Sequence, residues 1–182
     1  MIASSILLGI GLSASAGFRV FIPLLVAAIA GKFGWLPLTE GFSWMASWPA
    51  IICFGTATVA EVAAYYIPVV DNFLDTITTP MAIMAGTLLA TSVIPVDSDL
   101  LKWTTGILLG GGAAGIVQTG TALLRLFSTK TTAGFGNPIV ATTEHAAAFG
   151  TSIFAIIAPV IAGIIMLVVI GWMIMKVVAK NQ

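Results

Sequence analysis

Between His145 and Lys176 the chain carries no charged side chain, and comparable apolar runs fill most of the sequence before them. These runs do not alternate polar with apolar residues as barrel strands do, so helices are the expected spanning elements. The 182 residues include seven basic and seven acidic side chains, and 59% are hydrophobic. A soluble domain draws roughly a quarter of its residues from the charged types. This chain cannot cover itself with water-compatible groups, so lipid is its expected solvent. The expected fold class is all-α: a polytopic helical membrane protein forming one transmembrane domain over residues 1–182.

Net charge is zero, with no basic block for nucleic acid and no acidic tail. One cysteine, Cys53, allows no intramolecular disulfide. The start, MIASSILLGIGLSASA, resembles a signal peptide, but no Lys or Arg precedes Arg19 and the apolar run continues past the small-residue site. The segment is expected to be retained.

Five spanning helices plus a re-entrant or half-buried piece are expected. Segment one runs from about Ile6 to Ala30, followed by a loop with Trp35, Trp44 and Trp48 that suits the headgroup level or a packed cap. Segment two runs from about Pro49 to Ile67, a polar interruption covers 68–79, and segment three runs from Pro80 to about Val96. Segment four runs from about Trp103 to Phe127. The remainder, from Pro138 to Lys180, would be about 60 Å long as one helix, twice the hydrocarbon thickness. The favoured division is a re-entrant piece to about Phe149 and then a span, with two spans broken near Pro159 as the alternative. With five straight crossings, Lys32, Lys102, Lys176 and Lys180 share one side and Lys130 the other, which favours N-out, C-in.

A weak internal repeat is visible. Residues 78–96 align without gaps to 142–160 with seven of nineteen positions identical, giving candidate halves 48–96 and 112–160. The same offset pairs Glu61 with Arg125. Chance likeness between Ala/Thr/Gly-rich helices explains it equally well.

An ionised side chain at a helix centre costs roughly 2.5–3.5 kcal/mol on insertion scales, so such residues face protein or a water-filled cavity. Arg19 falls mid-segment in SASAGFRVFIP, with Pro23 after it to kink the helix; it suits an anion or a structural ion pair. Glu61 lies near a segment end, where snorkelling is the simple explanation. Asp71 and Asp75 share a helix face after Pro68; the helix dipole explains Asp71 but not Asp75, and both acids could equally be wet on an interfacial helix. In GNPIVATTEHAAAFG, Asn137 is the expected N-cap and Pro138 the first helical position. That puts Glu144 about two turns inside a neutral helix, as a hydrogen-bonded acid or a proton or cation ligand. His145 is expected to be a hydrogen-bonded helix residue. Gln118 offers one polar hook in segment four, where Gly106/Gly110 and Gly111/Gly115 fit close helix packing. The loop STKTTAGFGNP could cradle an anion, although turn chemistry alone explains it.

Enzyme classes find little support. One His excludes an HExxH site and one Cys a thiolate cluster, so no metal or cofactor is expected. A dyad of Ser13 or Ser15 with His145 lacks a nucleophile-elbow pattern.

SAGFRVFIPLL, EVAAYYIPVVDNFLDTITTP with MAIMAG, and STKTTAGFGNPIVATTE together resemble the bacterial membrane family catalogued as domain of unknown function 4126. The resemblance covers most of the chain and implies that Arg19, Pro23, Glu61, Pro68, Asp71, Asp75, Asn137, Pro138 and Glu144 occupy the family's motif positions. Tyr65 and Tyr66 depart from it, standing where that pattern has an Asp-Lys pair. The family implies a bacterial cytoplasmic membrane and no activity.

The expected function is a small membrane transporter or channel linked to a proton or another cation, acting with a small or lipid-linked anion. Its site would be Arg19, Glu61, Asp71, Asp75 and Glu144, supported by Pro23, Pro68, Gln118, Asn137, Pro138 and His145. The alternative is a non-transporting scaffold with structural ion pairs. Expected partners are membrane lipid and the ion, with a homo-oligomer left open.

Overall fold

In the computed structural model, which describes residues 2–132 and 135–180, the first apolar run breaks in its middle. The side chains of residues 68, 69, 71–73, 75, 76 and 177–180 also fall outside what it describes. Helix α1 covers Ile2–Ala16 and α2 covers Phe21–Lys32. The two arms lie on α4 (Pro68–Val93) and run in opposite directions. On α1, Ser13 Oγ donates to Gly86 O at 2.7 Å while Gly9, a turn earlier, lies against Ala90 and Ile94. On α2, Phe21 and Leu24 line one groove with Met81, Ala85 and Leu88, and the chain beyond it reaches Ser92 O through Thr39 N. Arms of 15 and 12 residues are about 22 and 18 Å long, so neither crosses a core of about 30 Å alone.

Segment one is therefore a helical hairpin that returns to the end where it began, not a straight span. Its tip is Gly17–Val20. A Cβ on Gly17 would stand 2.5 Å from Ala114 O and from Val117 Cβ, so the tip can seat only with glycine there. Pro23 sits in the first turn of α2, where its missing N–H costs no helix bond. The return arm stops at a glycine cap: Gly34 has φ 73°, and Trp35 N donates to Ala30 O at 2.8 Å.

Beyond a 3₁₀ turn at Glu40–Ala46, helix α3 covers Trp48–Ala64, with Ser47 Oγ accepting from Ala50 N. Phe42 and Met45 pack inward while Trp35, Trp44 and Trp48 stay exposed, so this loop is a packed cap with an aromatic rim. Helix α4 is continuous through Pro80, which corrects the division into a polar interruption and a span starting at that proline. A proline removes a single ladder bond, and in a packed bundle the rest of the ladder persists.

Helix α5 (Asp99–Thr105), a π turn (Gly106–Gly111) and α6 (Gly112–Thr132) run on as one 34-residue helix antiparallel to α4. The contacts step from Gly106 on Thr91, through Gly110 on Gly86, to Gln118 on Thr78. A Cβ on Gly86 would lie 2.6 Å from Gly110 O, so the two backbones touch across this seam.

The last forty residues break at Ala158 into α7 (Asn137–Ile157) and α8 (Pro159–Lys180). Helix α7 descends α1 from Arg19 to Gly11, and α8 climbs it from Leu7 and Gly11 through Ala14. The two are antiparallel, so the break falls at Pro159 and not near Phe149. The re-entrant piece of the fold is α1–α2.

By length and apolarity Asp99–Thr132, Asn137–Ile157 and Pro159–Lys176 are long enough to cross a membrane, and Glu40–Ala46 with Trp48–Ala64, bent by 62°, is a fourth candidate. This is a helical membrane protein. Lys32 and Lys102 fall at the end of the bundle that holds the start of α1; Lys130, Lys176 and Lys180 fall at the other. The four-to-one division of lysines expected from straight crossings becomes three to two.

Candidate functional site

The hairpin tip exposes the first N–H groups of α2, which have no partner within the helix and sit at the positive end of its dipole. Glu61, on the last turn of α3, supplies the acceptors: Oε1 takes Val20 N–H at 2.9 Å and Oε2 takes Phe21 N–H at 3.0 Å. Glu61 is buried. It points inward as the cap of a broken helix, which corrects the snorkelling reading. On the other flank Thr121 Oγ1 donates to Gln118 O at 3.0 Å and lies 3.4 Å from Gly17 O.

Arg19, raised by that tip, reaches Glu144 on α7 with Nη2 to Oε2 at 2.7 Å. Arg125 on α6 grips the same carboxylate with both edge nitrogens, Nε to Oε1 at 3.2 Å and Nη2 to Oε2 at 2.7 Å. Oxygen Oε2 thus serves two guanidinium groups, and the three side chains are at most 5% exposed. Tyr65, at the α3–α4 turn and 2% exposed, holds both cations against its ring, with Cζ of Arg19 at 3.5 Å and of Arg125 at 4.5 Å from the centroid. Loss of one partner from such a buried set costs about 3–5 kcal/mol, because it leaves uncompensated charge.

A second aromatic layer covers this centre. His145 stacks on Tyr66 at 5.9 Å and meets Tyr65 edge-on at 6.3 Å, while Tyr66 Oη pairs with Thr142 Oγ1 at 2.9 Å. Neither imidazole nitrogen has a hydrogen-bond partner among the described residues, so His145 is a stacking residue and not the hydrogen-bonded one expected. Tyr66 is half exposed, at the end of the bundle near Asn137.

Of the residues singled out in the sequence, Arg19, Glu61, Glu144 and His145 come together at the tip. Gln118 lies one layer deeper, its Nε2 donating to Thr78 Oγ1 at 3.1 Å. Asn137 is the first residue of α7 and not its N-cap; its side chain exchanges hydrogen bonds with Thr129 on α6. Pro68 begins α4, and Pro138 is the second residue of α7, not the first as expected. Asp71 and Asp75 lie in α4, and their side chains fall outside the described residues. Among the described residues no three of His, Cys, Asp and Glu cluster as a metal site would require.

Sequence reasoning missed Tyr65 and placed Arg125 only through the repeat. The available signal for Arg125 is a stripe of buried polar residues on α6, Gln118, Thr121 and Arg125, at helical spacing. The family model described as Domain of unknown function (DUF4126) matches residues 6–179. No curated protein and no solved structure matches the chain.

Proposed function

The chain belongs to the DUF4126 family, and from this premise we propose that it is a small transporter of the bacterial cytoplasmic membrane, moving a proton or another cation together with an anion. The observation that carries the reading is the Arg19–Glu144–Arg125 centre at the tip of a half-length helical hairpin. Broken helices at membrane depth are tolerated where they build ion sites, and they supply helix ends and free backbone groups for binding. Glu144 is the proton-binding acid of this proposal, and the arginines hold it ionised until an anion replaces it. Asp71 and Asp75 are proposed to feed the same path from α4. The three-to-two lysine division favours the start of α1 outside and the end of α8 inside.

A scaffold with static ion pairs is the second reading. It is favoured by Glu61, whose two oxygens are both committed to backbone N–H groups. Proton flux into proteoliposomes, followed with an enclosed pH-sensitive dye, separates the two. The transporter reading expects Glu144→Gln and Asp75→Asn to slow flux by at least about tenfold, the scale of a lost acid–base group. Equal rates in all three proteins would leave the scaffold.

A further inference from the structure

Arg19 is 1% exposed, yet its Nε and Nη1 have no hydrogen-bond partner among the described residues. A guanidinium has five N–H donors, one on Nε and two on each terminal nitrogen, so most of this fork is buried without an acceptor. Among the described residues only Nη2 is engaged, by Glu144 at 2.7 Å and by Ala141 O at 3.5 Å. The Tyr65 ring covers the face of the group and leaves its edges without oxygen. Buried donors of a charged group are seldom left so, because their desolvation is not returned.

We infer that the tip is an oxyanion site, for a carboxylate or phosphate group, and that the Glu144 carboxylate occupies it as an internal substitute. The unsatisfied groups of Arg19 are all donors on a cation, which excludes a cation as their ligand. Glu144 displays how the ligand sits: one oxygen between the two guanidinium groups and the other on Arg125 Nε. An incoming oxyanion displaces that carboxylate and gains the idle donors of Arg19. Its source is either free solute or a lipid headgroup, since an apolar groove of about 640 Å³ between α6 and α8 passes Phe18 and Thr121 beside the tip and ends at Lys176.

This inference deepens the proposed function, and a binding experiment separates it from transport. Purified protein in phosphatidylcholine nanodiscs is titrated calorimetrically with inorganic phosphate and with acetate. Glu144→Gln, which removes the competing charge but not the shape, is expected to bind one of them at least about tenfold more tightly than wild type. Adding Arg19→Lys, which keeps the charge and loses the planar fork, is expected to reverse that gain. If the ligand is a headgroup, discs containing phosphatidylglycerol raise the thermal midpoint of Glu144→Gln and added phosphate does nothing more. A helical, folded Glu144→Gln protein with no saturable anion binding and no response to phosphatidylglycerol overturns the site. Binding without flux removes the transporter and keeps the site, whereas proton flux indifferent to anions does the reverse.

Discussion

Glu61 and Glu144 are both buried acids, but one holds backbone and the other holds arginine. That difference sets opposite expectations for the same replacement. Glu61→Ala strands two N–H groups, one buried and one partly buried, at up to about 1–3 kcal/mol each, and should lower the thermal midpoint in detergent. Glu61→Gln keeps one acceptor and should fall between. At Tyr65 the ring is what the arginines use. Tyr65→Phe should unfold near wild type, while Tyr65→Leu should lose about 1–2 kcal/mol, the range for a desolvated cation–π contact. Equal loss in both would assign the effect to the hydroxyl. That Arg19 and Glu144 need buried partners was legible, because a charge within an apolar run demands one. Glu61 was singled out too, but its capping role could not be read, because its partners are N–H groups freed only by a break between α1 and α2.

Between helices, glycine decides how near two backbones come. Gly86→Ala would press a methyl to 2.6 Å from Gly110 O and Ala114 Cβ. It should destabilise by about 1–3 kcal/mol, the usual cost of overpacking. Gly150 meets nothing within 4 Å, so Gly150→Ala should be neutral or gain up to about 1 kcal/mol of helix propensity. Reversible unfolding in mixed micelles measures both, and a Gly86→Ala protein as stable as Gly150→Ala would contradict the seam. The seam was visible as spaced glycines. The helix boundaries were less so, because proline has two meanings here: Pro80 lies inside α4, and Pro159 starts α8. Spacing along one chain does not say whether a neighbour covers the carbonyls that a proline leaves.

At the scale of the molecule, the class of fold followed from composition, but the path of the first thirty residues did not. A run from Ile6 to Ala30 is long enough to span, and only its packing against α4 shows that it doubles back. The hairpin predicts that Ala3→Cys and Gly34→Cys, each in a Cys53→Ala background, react with an impermeant thiol reagent from the same side of sealed vesicles. Labelling from opposite sides would restore the straight span. The hairpin also has a consequence in time. Glu61 is made 41 residues after Val20, and Ala141, which Arg19 touches, follows that arginine by 122 residues. At about 5–20 residues per second, Arg19 waits on the order of ten seconds for α7 to leave the ribosome. Until then Glu61 is the acid that holds the tip, and Arg19 lacks the Glu144 carboxylate. Completion of the arginine–carboxylate centre is therefore a late event in the birth of this protein, well after the tip itself can be capped, and a chain arrested before α7 would carry Arg19 without its Glu144 partner.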